Sequence, residues 1–208
     1  MPHWAAITPD GRTAYTTDTQ TPYVSVVDLT GCRPARKVPG PGSEDLALSP
    51  DGTRLYVATP AISLPPASPD TYAVQVVDVA TNAIVHTVPV PGMPSPVHVT
   101  ADGKLLVGQW RFSGAASGTR SAAGLLSIFD AAGYEPLAEL EVGISPINIT
   151  STPDGATGFV TNLQSGTVSV IDLRSLEVAA TLEVDPRDDS RPRAPLQGAH
   201  GVAYLPGA

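Results

Sequence analysis

Acid–base or metal chemistry in this chain has to come from few side chains, because only four histidines and one cysteine accompany its 20 acidic residues. Aligned on a recurring Asp-Gly turn, His3, Glu44 and Ser95 fall at one level. His200 joins them, since HGVAYLPG near the C-terminus repeats HWAAITPDG at the N-terminus. The strings PVHVTADG and PINITSTPDG match His98 with Asn148, although the second carries two extra residues. Asp45 follows Glu44, and Arg111 opens a longer insertion. Two or three histidines with a Glu or Asp are a donor set for a divalent metal, or supply a general base near neutral pH. The same groups also serve a binding surface, or simply hydrogen-bond a neighbouring loop. His86 lies on an outer strand, apart from this set. Cys32 has no intrachain disulfide partner, and no Cys/His spacing suits zinc. A nucleophile elbow, a phosphate-cradling loop and a haem-attachment motif are all missing from the sequence.

The elements that must position these residues repeat. TPDG, SPDG, TADG and TPDG end at Gly11, Gly52, Gly103 and Gly155, and their aspartates Asp10, Asp51, Asp102 and Asp154 are 41, 51 and 52 apart. After each turn comes a short β-rich run: TAYTTD, RLYVAT, KLLVGQ and TGFVTN. A further run closes on Asp28, Asp78, Asp130 or Asp172, and another follows it. Val, Ile and Tyr alternate in these runs with small or polar residues, the period-two signature of half-buried strands. With the strand before each turn, every unit has four strands. The eight regular aspartates are turn chemistry: Asp accepts a nearby backbone N–H, and Gly takes positive φ without steric cost. They are not a catalytic carboxylate set.

Four-stranded units at this period predict an all-β fold, a β-propeller of antiparallel blades. The blades are expected near 1–42, 43–92, 93–143 and 144–185, followed by a linker at 186–198 and an extra inner strand at 199–208. Composition agrees. Pro (22) and Gly (19) are abundant turn formers, and only 15% of residues are charged, too few to coat long amphipathic helices. The net charge of −8 and the pI near 4.8 argue against nucleic acid as a partner, which is held by clustered Lys and Arg. No run of 18 apolar residues occurs and no export signal is visible in the chain as written, which reads as cytoplasmic.

LYVAT, FVTN and SGTVSVIDLRSLEVAATLEV resemble the YVTN family of β-propeller repeats, over essentially the whole chain and most closely at Ile144 to Asp185. The resemblance implies the fold, and a periplasmic or secreted setting. It also implies about seven blades, so three arrangements stay open: a portion of a larger propeller, two copies joined edge to edge, or a compact four-blade ring. Function has to be argued from the site, because propellers host hydrolases, redox enzymes and binding scaffolds alike.

The units differ in their loops. The paired aspartates stand 18 apart in units one and four but 27 and 28 apart in units two and three, owing to insertions at 60–71 and 111–123. A third insertion, at 185–199, mixes Asp185, Asp188 and Asp189 with Arg187, Arg191 and Arg193. All three are expected on one face, the top, where long loops on a rigid scaffold bind ligands. Strand ends at Asp18, Thr59, Gln109 and Asn162 add polar groups near that face. The leading expectation is therefore a non-enzymatic scaffold that meets a protein or small-molecule ligand through His3, Glu44, Asp45, His98, Arg111, Asn148 and His200. The alternative is a lactonase-like hydrolase using a metal-bound or His-activated water, with His3, His98 or His200 and Glu44. A third reading, a redox accessory carrying haem or quinone, finds no attachment motif.

Overall fold

The computed structural model describes residues 2–205 other than 20, 32, 41, 61–71, 114–119 and 186–197. Cys32, most of the 60–71 and 185–199 insertions and the centre of 111–123 lie outside the described residues. Contacts divide the chain into two units, Met1–Val99 and Thr100–Ala208.

Among the described residues sixteen strands form four antiparallel sheets, each a meander of four consecutive strands, as in the blades of a β-propeller. Blade 1 holds β1 (Pro2–Ile7), β2 (Thr13–Asp18), β3 (Tyr23–Asp28) and β4 (Arg33–Pro39). Blade 2 holds β5 (Leu46–Leu48), β6 (Arg54–Thr59), β7 (Ala73–Asp78) and β8 (Ala83–Pro89). Blade 3 holds β9 (Met93–Val99), β10 (Lys104–Ser113), β11 (Arg120–Asp130) and β12 (Pro136–Ile144). Blade 4 holds β13 (Pro146–Ser151), β14 (Thr157–Asn162), β15 (Thr167–Asp172) and β16 (Glu177–Glu183). No helix of the described residues is long and apolar enough to cross a membrane.

The turns are built locally, as their composition demands. In each first hairpin a Ser or Thr hydroxyl donates to the Asp two residues on: Thr8 to Asp10 at 2.6 Å, Ser49 to Asp51 at 2.6 Å, Thr100 to Asp102 at 2.5 Å and Thr152 to Asp154 at 2.6 Å. The following glycine sits at φ between +68° and +85°, the left-handed region that a side chain resists. In each last hairpin the carboxylate accepts backbone N–H groups: Asp28 from Thr30, Asp78 from Thr81, Asp130 from Ala132 and Asp172 from Arg174. Hydrogen bonds from Thr8 and Thr30 hold the Asp10 and Asp28 carboxyls below the usual range.

Within each unit successive blades pack face to face. Tyr15, Val24, Val26 and Val38 of blade 1 form one core with Leu46, Leu55, Val57 and Val77 of blade 2. Leu106, Leu126, Ile128 and Val142 of blade 3 form its counterpart with Ile149, Val160, Ile171 and Leu173 of blade 4. Burying each such side chain contributes about 1.5–3 kcal/mol.

Three sequence expectations change. The 111–123 insertion is largely an extension of a hairpin rather than a loop, since Arg111 pairs with Ala122, Phe112 with Ser121 and Ser113 with Arg120. His98 and Asn148 are not equivalent: His98 stands two residues before the turn residue Thr100, and Asn148 four before its counterpart Thr152. The proline shared by the two strings stands at different distances from the turn, Pro96 four residues before Thr100 and Pro146 six before Thr152. The third concerns 199–208, expected as a strand. Residues 198–205 form no strand ladder, and 206–208 lie outside the described residues. That segment nevertheless starts where a first strand should. The Thr161 hydroxyl donates to the His200 carbonyl at 2.9 Å, as that of Thr17 donates to the Glu44 carbonyl at 2.6 Å. Two residues before each acceptor stands a glycine at positive φ, Gly42 at +126° and Gly198 at +135°.

Candidate functional site

In the first unit the starts of β1 and β5 bring ionisable side chains together. Trp4 donates its backbone N–H to the Thr17 hydroxyl at 3.3 Å, which itself donates to the Glu44 carbonyl, so one threonine links both segments. This places His3 Nδ1 at 3.0 Å from Glu44 Oε1, with the two side chains 36% and 15% exposed. The imidazole also meets the Trp4 ring edge-on, 5.6 Å between centroids. Burial pushes the Glu44 carboxyl up, and the neighbouring His3 opposes that shift.

Asp45 points the other way along the strand and is buried. One carboxylate oxygen accepts the Leu46 N–H at 2.7 Å and the other the Val97 N–H at 3.0 Å, so it bridges the first strands of two blades. Burial outweighs these bonds and, with help from Glu44, pushes its pKa up to about 7. His98, half-buried on the same strand as Val97, is pushed down to about 4, again by burial.

The second unit treats its predicted residues differently. The guanidinium of Arg111 donates to the Ala123 carbonyl and pairs with Glu141, both at 2.7 Å, so it braces the long hairpin of blade 3. Thr161 links Asn148 and His200, its hydroxyl lying 3.4 and 2.9 Å from their backbone carbonyls. Ser95 is buried. The strand ends noted in the sequence are structural: Gln109 donates to Ser127 at 2.7 Å, and Asn162 to Thr167 and Ser169 at 3.1 and 3.0 Å. Asn162 Oδ1 has no hydrogen-bond partner among the described residues although it is fully buried.

The predicted set therefore splits. His3, Glu44 and Asp45 adjoin, His98 lies one residue beyond the N–H that Asp45 accepts, and Arg111, Asn148 and His200 belong to the other unit. Among the described residues no group of three or more His, Cys, Asp or Glu is placed to hold a metal ion. Sequence reasoning missed Thr17 and Thr161, which organise both starts. Their signal was the shared threonine just before Asp18 in TAYTTD and Asn162 in TGFVTN.

No family model matches the chain, and no curated protein does. Among solved structures it is similar to hydrazine synthase from Kuenenia stuttgartiensis, at 21% identity and a TM-score of 0.70. The match covers 87% of this chain and 48% of the other, so the chain spans about half the length of that protein. At such identity the likeness establishes the fold alone: the chain is a four-bladed β-propeller structure.

Proposed function

We propose that this chain is a YVTN-type β-propeller scaffold that binds a ligand or protein partner where the first strands begin, through His3 and Glu44 with Asp45 beneath them. The observation that carries this reading is the His3–Glu44 pair at 3.0 Å. A half-exposed imidazole held by a mostly buried carboxylate offers a pre-oriented polar contact whose carboxylate has already lost most of its water. Preorganisation of this kind lowers the cost of binding. His98, Arg111, Asn148 and His200 are carried as outer candidates of the same scaffold role.

The lactonase-like alternative has one point in its favour, since a carboxyl titrating near 7 suits acid–base work. Against it, both Asp45 oxygens already accept backbone N–H groups. Thermal-shift screening of the wild-type chain and of His3→Ala and Glu44→Gln against small carboxylates, amines and lactones tests the scaffold reading, with lactone hydrolysis followed in parallel. A ligand that stabilises the wild type and neither variant is expected. Equal shifts in all three, or turnover of any lactone that the variants lose, would overturn it.

A further inference from the structure

The repeat allows each blade face to be judged against its counterparts. On the face that a blade turns toward its successor, β2–β3 pairs Tyr15 with Val26, β10–β11 pairs Leu106 with Ile128 and β14–β15 pairs Phe159 with Val170. One strand further out, Val24 faces Val38, Leu126 faces Leu140 and Val168 faces Leu182. In blades 1 and 3 this face is sealed by the next blade: Tyr15, Leu106, Leu126 and Ile128 have no exposed surface. In blade 4 the same positions stay open, with Phe159, Val168 and Val170 only half-buried and Leu182 49% exposed.

The opposite face shows the converse at blade 1. Leu29, Val79 and Leu173 are counterparts, each donating its N–H to the carbonyl of the residue after the turn glycine: Arg12, Thr53 and Ala156. Leu173 is sealed against blade 3, whereas Leu29 is 40% exposed. Val27 pairs with Ala14 as Ile171 pairs with Gly158, and it too is only half-buried while Ile171 has no exposed surface.

We propose that the open face of blade 4 docks on the open face of blade 1 in a second copy of this chain, repeating between molecules the contact that the fold makes between blades 1 and 2 and between blades 3 and 4. The two faces hold the two sides of that internal interface, apolar at corresponding positions. His200 already lies beside blade 4, where a first strand begins. Because His200-Gly201-Val202-Ala203 matches His3-Trp4-Ala5-Ala6, the contact takes its first strand from one of these two strings. The contact is heterologous, joining unlike faces of two copies.

Light scattering across a concentration series tests this with the full chain and with Leu182→Lys and Leu29→Lys, both at exposed positions whose folding is checked by circular dichroism. The wild type is expected to rise to at least twice the 21.4 kDa chain mass. Each variant alone should stay at the single-chain mass, since every contact then carries one lysine. An equimolar mixture should recover a two-chain species, because blade 4 of the Leu29→Lys copy and blade 1 of the Leu182→Lys copy are both intact. A wild type that stays monomeric at every concentration overturns the proposal. So does a mixture that stays monomeric, or variants that assemble like the wild type.

Discussion

Thr17 and Thr161 do the same work in the two units, each sending its hydroxyl to the backbone carbonyl at the start of the next segment, and what they deliver differs completely. Thr17 sets Glu44 against His3 and starts a strand whose next residue, Asp45, is a buried acid titrating near neutrality. Thr161 delivers His200 into an exposed segment and touches the carbonyl of the neutral Asn148. The backbone device is common property of the repeat. The chemistry is not: in the first unit the device positions an ionisable pair, and in the second it does not.

The largest effect is expected in pH dependence, from two groups of the first unit. His98 titrates near 4 folded and 6.5 ordinarily, so between those values the unfolded chain binds more protons and stability rises with pH. Asp45 titrates near 7 folded and 3.8 ordinarily, so the folded chain binds more protons there and stability falls. The opposed slopes nearly cancel between pH 4 and 6.5. His98→Gln removes the rising limb, and urea unfolding of this variant should lose roughly 3 kcal/mol between pH 4 and 6.5 relative to the wild type. A variant profile parallel to the wild-type one would mean that His98 is not the group opposing Asp45.

Next in size is the threonine device itself. Thr17→Val leaves the Glu44 carbonyl short of a donor beside fully buried Thr17 and should cost about 1–2 kcal/mol. Thr161→Val should cost less, because the exposed His200 can turn its carbonyl to water. Urea midpoints of the two variants give the comparison, and equal costs would remove the distinction drawn between the units. Smallest is the His3–Glu44 pair. With His3 over a third exposed, a double-mutant cycle of His3→Ala and Glu44→Gln should return at most about 1 kcal/mol of coupling, decreasing with added salt.

Strand-by-strand architecture was legible in the sequence because its determinants are local. The bond from Thr8 to Asp10 and the positive φ of Gly11 need nothing beyond a few residues, and the same string recurs four times. Placing His3 and Glu44 at one level was legible for the same reason. The state of Asp45 was not, since it depends on burial and on the N–H of Val97, 52 residues away. Nor was the fate of Arg111: the small residues around it resemble a loop, while the pairing of Phe112 with Ser121 makes it part of a hairpin. The match of His98 to Asn148 failed because it follows the prolines Pro96 and Pro146, whereas both strands end one residue before the turn threonines Thr100 and Thr152, which set the common frame.

The meander order of the sheets bears on how the chain acquires its structure. Within each sheet the strands pair in sequence order, and the first and last hairpins of each are closed by Asp-centred turns held locally, so much of each blade lies within reach of its own neighbouring residues. Contacts of short sequence separation form fast and at low loop-closure cost, even in an all-β chain. Docking of blade on blade, which depends on the cores around Tyr15 and Leu106, is then the slower step. Refolding should therefore show hairpin formation ahead of tertiary packing, beginning independently in any of the four repeats.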